Sequence, residues 1–376
     1  MKKLLVVALA LTSVNAFATR ARVTALANSP HLIDAQTVYS NPADMFYVAG
    51  DYVNLEAGAT SVSSTNAAGN SSDGRNGKNN AEGMIVRSWG DAKMGLALGH
   101  MSDLSLKLRS IGQMAFTNPV LQGGLNSSVP NFHQQNPIEL SYGMKAGDLA
   151  WAGTLVYSNF NNKTAANEKE SSMGARFGMR MGALDVKAGL GLGNTYENAQ
   201  GKFKGDMGIT AGAGYAVNTL YFNVKAEMGG FKVENTGGTE IMKASGMNLG
   251  AYVTDSLKKD GNEFFYGAGI ENSDYKITVP TGDKKMTALS LPIWIGLEAD
   301  AASWLTLRGS VKQNVILNDS KNELQGTEYA PGPNTTTISA GAGLKFNKIN
   351  VDTAVTSESA TAMNDLKGQV GMTYVF

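Results

Sequence analysis

The chain has 376 residues, with 32 basic and 32 acidic side chains, 44 glycines, 9 prolines and no cysteine. Such a balanced charge gives no reason to expect a nucleic-acid partner, and 43% hydrophobic content leaves enough apolar surface to bury, which argues against disorder. The lack of cysteine sets the chain apart from secreted domains stapled by disulfides and removes the thiolate ligands of structural zinc.

At the start, Lys2 and Lys3 precede the apolar run Leu4 to Leu11, and Ala16-Phe17-Ala18 has small residues at both cleavage positions. Residues 1–18 therefore read as a secretory signal peptide, with the mature chain beginning near Thr19. An uncleaved anchor would need about 20 apolar residues to span a bilayer as a helix, and this run is far shorter. No later stretch is long enough either, so any membrane role must use strands. Removing Lys2 and Lys3 leaves 30 basic against 32 acidic residues.

Residues 19–45 show no sustained strand or helix period and are interrupted by Pro30 and Pro42. They nevertheless carry Val23, Leu26, Leu32, Ile33, Val38 and Tyr39, which need something to bury against. The expectation is a partial plug inside a barrel, with Asn41-Pro42-Ala43 as the turn into the first strand. Glycines at 143, 178, 189, 191, 193, 341 and 343 fall on the faces inferred to be inward, where glycine permits close approach of another backbone. Relief of crowding in a curved wall is the alternative reading of the same glycines.

From residue 46 to 376 the dominant signal is alternation with period 2, which places one set of side chains on each face of a strand. Ile138, Leu140, Tyr142 and Met144 alternate with Glu139, Ser141, Gly143 and Lys145. The sets Leu184 to Leu192, Leu220 to Met228 and Ile338 to Phe346 repeat the pattern, which helical spacing cannot produce. Short turns are predicted near Gly90-Asp91, Gly147-Asp148, Gly182-Ala183, Val217 to Thr219, Asp255 to Gly261, Ala299 to Ala302 and Asn347-Lys348. Longer polar stretches lie at 61–81, 110–136, 160–171, 198–204, 234–244, 274–285, 315–334 and 356–365. This alternation of short and long connections predicts an all-β, antiparallel transmembrane barrel of about 16 strands, with 14 as the alternative count. A soluble β-sandwich is the rival fold, but it seldom needs so many strands facing outward with Leu, Met and Phe.

In the last strand, Val370, Met372, Tyr374 and Phe376 alternate up to the end of the sequence. This resembles the terminal signature of Gram-negative outer-membrane β-barrels, which implies that Tyr374 and Phe376 are read by the barrel assembly machinery. The whole chain is similar to porin-like major outer-membrane proteins of predatory bacteria. The segment around Asn41-Pro42-Ala43 is similar to the start of FadL-type transporters, a resemblance that implies a plugged barrel taking hydrophobic molecules.

Catalytic and metal-binding patterns are weak. The three histidines, His31 before the barrel, His100 on a strand and His133 in a long loop, lie near no partners in sequence that suggest a triad. Asp73, Asp319 and Glu323 lack the spacing of a calcium loop, and Gly189 to Gly193 alternates with leucine in a strand rather than cradling phosphate. No enzyme, metal or cofactor is expected. Charges facing the lumen are the better candidates, and parity places Arg87, Lys93, Lys107, Arg109, Glu139, Lys145, Arg176, Arg180, Lys187, Lys225, Glu227, Arg308, Lys312, Lys345 and Asp352 there. They select ions, with basic residues in excess and hence a weak anion preference, or else they form interior salt bridges that solvate the wall.

The expected function is passive diffusion of small hydrophilic solutes across the outer membrane. FadL-type uptake and a structural or adhesive surface barrel are the alternatives. Expected surroundings are outer-membrane lipid and lipopolysaccharide, and a homo-oligomer is left open.

Overall fold

A computed structural model describes residues 19–61, 81–102, 134, 136–163, 167–280, 282–316, 321–323, 335–357 and 366–376. The predicted signal peptide (residues 1–18), Lys107, Arg109, His133, Asp73, Asp319 and most of the longest predicted loops lie outside these residues. The described chain opens with a short helix, α1 (Arg20–Ala25), and two single-turn 3-10 helices, Gln36–Tyr39 and Pro42–Phe46. Strands follow: β1 (Tyr52–Ser61), β2 (Ala81–Trp89), β3 (Ala92–Leu98), β4 (Ile138–Ala146), β5 (Leu149–Asn162), β6 (Glu168–Met181), β7 (Leu184–Asn198), β8 (Gly201–Gly205) and β9 (Gly208–Val217). The second half holds β10 (Leu220–Asn235), β11 (Glu240–Lys259), β12 (Asn262–Val279), β13 (Gly282–Ala302), β14 (Leu305–Ile316), β15 (Lys321–Asn322), β16 (Thr335–Phe346), β17 (Ile349–Ser357) and β18 (Leu366–Val375).

Each strand pairs antiparallel with its neighbours, and β1 pairs with both β18 and β2, so the sheet closes on itself. The ring has 16 positions. β8 and β9 share one, because both lie between β7 and β10. β14 and β15 share another beside β13. Closure satisfies the edge strands that an open sheet would leave unpaired.

The predicted short turns appear, and their sequences explain them. Gly182 has φ of +57° and Asn347 has φ of +54°, the left-handed values that a two-residue hairpin needs and that these residue types tolerate. One turn is displaced: β13 runs through Ala302, and the connection is Ser303-Trp304 rather than Ala299 to Ala302.

Several predicted loops are strand instead. β10 to β13 contain 16, 20, 18 and 21 residues, well beyond the roughly 9–11 that a tilted strand uses to cross a bilayer. The stretch 234–244 shrinks to a turn in which the Asn235 side chain accepts hydrogen bonds from the backbone N–H groups of Gly237 (2.9 Å) and Thr239 (3.0 Å). The stretches 160–171, 198–204 and 274–285 shorten likewise. Polar composition there marks a solvated hairpin rather than irregular backbone. Inside these extensions, Phe203, Phe231, Val233, Met242 and Ile277 pack into a buried apolar cluster.

Outward faces carry exposed large apolar residues all round the ring, such as Leu140 and Tyr142 on β4, Leu155 and Tyr157 on β5, Phe264 and Ile270 on β12, and Ile293, Ile295 and Leu297 on β13. Their sequence neighbours Glu139, Glu263, Trp294 and Glu298 point the other way. An apolar outside around a polar inside is the arrangement of a barrel solvated by lipid.

Candidate functional site

The lumen is occupied by the start of the described chain. From Thr19 to Val48 the backbone folds within the ring, and its polar side chains meet the inward charges of the wall. Arg22 lies between Glu298 (2.7 Å) and Asp34 (3.5 Å), and Glu298 also holds Arg308 at 2.5 Å. Arg308 in turn reaches Asp352 at 2.5 Å, and the Thr19 hydroxyl donates to the other oxygen of Asp352 at 3.2 Å. Across the lumen Asp44 pairs with Arg180, while Lys93 donates to the carbonyls of Met45 (2.8 Å) and Gly50 (3.0 Å). Removing one partner from such buried pairs costs about 3–5 kcal/mol, because the other charge is left unpaired, so the contacts specify one seating of the segment.

Asn41-Pro42-Ala43 is not the turn into β1, which starts only at Tyr52. The Asn41 side chain accepts from the Ala43 N–H at 3.2 Å and, with Pro42 as the first helical residue, starts the second 3-10 helix against β4, β5 and β6. Proline suits this place because its missing N–H would have no helical partner anyway. Glycines make room for the segment on the wall. A Cβ on Gly178 would come within 2.9 Å of Pro42 Cδ and closer still to Asn41, and one on Gly341 would come within 2.7 Å of the Ala25 Cβ.

All three residues of a Ser–His–Glu chain that sequence spacing gave no means of assembling do meet. Ser29 Oγ and His31 Nδ1 are 2.9 Å apart, and His31 Nε2 is 2.9 Å from Glu263 Oε1. Ser29 is buried and accepts the Trp294 indole N–H at 3.0 Å, so its oxygen is spent on the wall and covered from any substrate. The chain works as a clamp. His100 lies just past the end of β3 rather than on a strand; it stacks on Tyr39 at 3.7 Å and is 2.8 Å from Glu139, which also pairs with Arg176.

Of the charges expected to line the pore, Lys93, Glu139, Lys145, Arg176, Arg180, Lys187, Lys225, Glu227, Arg308, Lys312, Lys345 and Asp352 share the inward parity of their strands. Arg87 does not. Val86 is its buried neighbour on the inward face of β2, so Arg87 points outward, 68% exposed, near Asp51 and the Phe376 ring. The parity argument misplaced it because on β2 the apolar Met84 and Val86 face inward, packed against Val38, Tyr39 and Met45 of the segment, which turns Arg87 outward. That argument also passed over inward acids: Glu56, Glu82, Glu170, Asp185, Glu263, Glu271 and Glu298 are all on the lumen side. They offset the expected excess of basic residues and with it the basis for anion preference.

Beyond the segment lies a cavity of about 140 Å³, large enough to hold several waters. Tyr39 and Ser40 form its floor, and Arg176, Lys187, Asn194 and Lys225 stand in its wall. Lys225 pairs with Glu271 at 2.9 Å, whereas Arg176 Nε and Asn194 Nδ2 are buried without a hydrogen-bond partner.

Asp34 makes the seating sensitive to pH. Burial pushes its carboxyl from 3.8 up to about 7, against the opposing pull of Arg22. The folded chain therefore holds this proton more tightly than the unfolded chain does, so stability from this group is full below 3.8 and is lost as pH rises to about 7. Hydrogen exchange at the Gln36 and Thr37 amides, both of which donate to Asp34, is expected to be slower at acid pH than at neutral pH after correction for intrinsic rates. In Asp34→Asn, which keeps the acceptor oxygen, that difference should disappear; an unchanged difference would assign the effect to another group.

No protein-family model matches the chain, and no curated protein does. Solved structures do share its fold. A bacterial polysaccharide outer-membrane secretin is 9% identical, with a TM-score of 0.50 over 87% of this chain and 98% of that one. A Pseudomonas aeruginosa FadL homologue is 10% identical, with a TM-score of 0.44 over 95% and 98% of the two chains, and a porin is 8% identical, with a TM-score of 0.39 over 87% and 99%.

Proposed function

We propose that the chain is an outer-membrane channel for passive diffusion of small hydrophilic solutes, narrowed by residues 19–48. The observation that carries this reading is the cavity beyond the segment, which Arg176, Lys187, Asn194, Lys225 and Glu227 border with charged and polar side chains. A purely structural barrel has no need of such a cavity. In this reading residues 1–18 direct export, Tyr374 and Phe376 serve barrel assembly, and lipid and lipopolysaccharide contact the outer surface. The resemblance to major outer-membrane proteins of predatory bacteria belongs to the same reading, and a homo-oligomer fits it equally well. The second reading, FadL-type uptake of hydrophobic molecules, is favoured by one feature, the apolar cluster around Phe203 and Phe231 among the extended hairpins.

Planar-bilayer recording of the purified protein tests the proposal. Small discrete conductance steps are expected, with reversal potentials near zero in a salt gradient because the inward charges nearly balance. A barrel that stays silent both intact and with residues 20–40 deleted would overturn diffusion.

Depth in the membrane gives a separate check. Trp89, Trp151 and Trp304 all sit beside or within short turns and are exposed, which puts them at one rim of the apolar belt. Lipid quenchers near the headgroups are expected to quench them most strongly; strongest quenching from the bilayer centre would contradict the placement.

A further inference from the structure

We propose that the α-ammonium group released at Thr19 by signal-peptide removal is a buried counter-ion, seated among Glu56, Glu82 and Asp352, so that processing itself locks the segment into the barrel. The inference rests on the reading of residues 1–18 as a cleaved signal. Hydrolysis of the Ala18–Thr19 peptide bond consumes one water, leaves a carboxylate on Ala18 and leaves an amine on Thr19 that takes up a proton. Before cleavage the same nitrogen is a neutral amide.

In the full-length chain Thr19 is 0% exposed, held against the inner wall. Its hydroxyl donates to Asp352. The next residue donates its backbone N–H to Glu56 Oε1 at 2.7 Å and sets its guanidinium 2.5 Å from Glu82. Gly371 shows how closely these groups share one space, since a Cβ there would come within 2.6 Å of Thr19 Cγ2 and 2.7 Å of Glu56 Oε2.

Charge is short at this place. The linked network holds the carboxylates Glu56, Glu82, Asp352 and Glu298 but only the guanidiniums Arg20, Arg22 and Arg308, and Asp34 beside them holds its proton up to about pH 7. Arg20 is spent on Glu82, Arg22 on Glu298 and Asp34, and Arg308 on Glu298 and Asp352. Glu56 is 6% exposed and takes the Arg20 backbone N–H and the Asn54 side-chain amide, but among the described residues it has no cation within ion-pair distance. A carboxylate buried in this way is costly unless a positive charge joins it or it stays protonated. An ammonium one residue from the Arg20 nitrogen supplies that charge where it is missing. The dipole of α1 opposes a positive charge at its start, but α1 has only six residues and three carboxylates outweigh it.

The test uses the full-length protein isolated from membranes, first by N-terminal sequencing and intact mass, which should place the new terminus at Thr19. Reductive methylation with formaldehyde and cyanoborohydride then reports the exposure of the α-amine. It should react at least tenfold more slowly in the folded barrel than the exposed Lys348, and as readily as other amines once unfolded. Glu56→Gln should raise its reactivity in the folded barrel about tenfold, while Glu240→Gln, at an exposed hairpin end, should not. If Glu56→Gln fails to fold, Ser-Gly inserted between Ala18 and Thr19 moves the charge away from the carboxylates and should remove the protection. A terminus at another residue, rapid labelling of the folded wild type, or protection unchanged in both variants would overturn the proposal. Because the readout is chemical labelling, it stands or falls independently of whether the barrel conducts.

Discussion

Deleting residues 20–40, with the signal and its cleavage site kept, is expected to raise single-channel conductance several-fold while leaving a folded barrel. The wall does not depend on these residues for its hydrogen bonds, because every strand is paired with its neighbours and the ring closes through β1 and β18. What the segment supplies is side-chain contact: Arg22 with Glu298, His31 with Glu263, Tyr39 stacked on His100. Once it is gone, water enters the lumen and solvates the released carboxylates, so they no longer bear the cost of an unpaired buried charge. Circular dichroism should retain the β signal. A deletion that folds and conducts like the intact protein would show that the segment does not limit the path.

Gly178→Leu is expected to reproduce much of that increase without removing any chain. Gly178 is on β6 with an ordinary backbone conformation, so the strand itself accepts a side chain. Its Cβ, however, would meet the Pro42 Cδ and the Ala43 nitrogen at 2.9 Å, where no real Cβ comes so close to its neighbours. Forcing atoms into such a site costs about 1–3 kcal/mol, and the segment, held by side chains alone, is softer than the wall. The seating around Asn41 should give way, and the Asp44–Arg180 pair with it. Gly193→Leu is the control: Gly193 pairs with the exposed Met173 and so faces outward rather than into the lumen, and a Cβ there meets nothing within 4 Å. Equal conductance and equal melting in the two variants would mean that the segment does not rest on Gly178.

Much of the barrel was legible because period-2 alternation is a local property. Ile138 to Lys145 states its own inside and outside, and the positions of the short turns followed from Gly, Asn and Asp at the places where a hairpin needs a left-handed residue. Loop lengths were less legible. Polar residues in 234–244 and 274–285 read as irregular loop, yet a strand that leaves the membrane pairs just as well in water. The lumen residues were legible only as a parity class, which is why Arg87 entered the set and Glu56, Glu82, Glu263 and Glu298 were passed over.

The sequence by itself determined that this chain forms a many-stranded antiparallel barrel with an apolar exterior, because alternation and turn chemistry each act within a few residues. It also marked residues 19–45 as a segment with apolar side chains and no period of its own. Only the tertiary structure decided where that segment goes and what it touches. The partners that hold it, Arg22 with Glu298 and His31 with Glu263, lie more than two hundred positions apart, and no local pattern encodes a contact at that distance. Closure of the ring brings those walls to the same space, and the need to pair each buried charge then selects one seating.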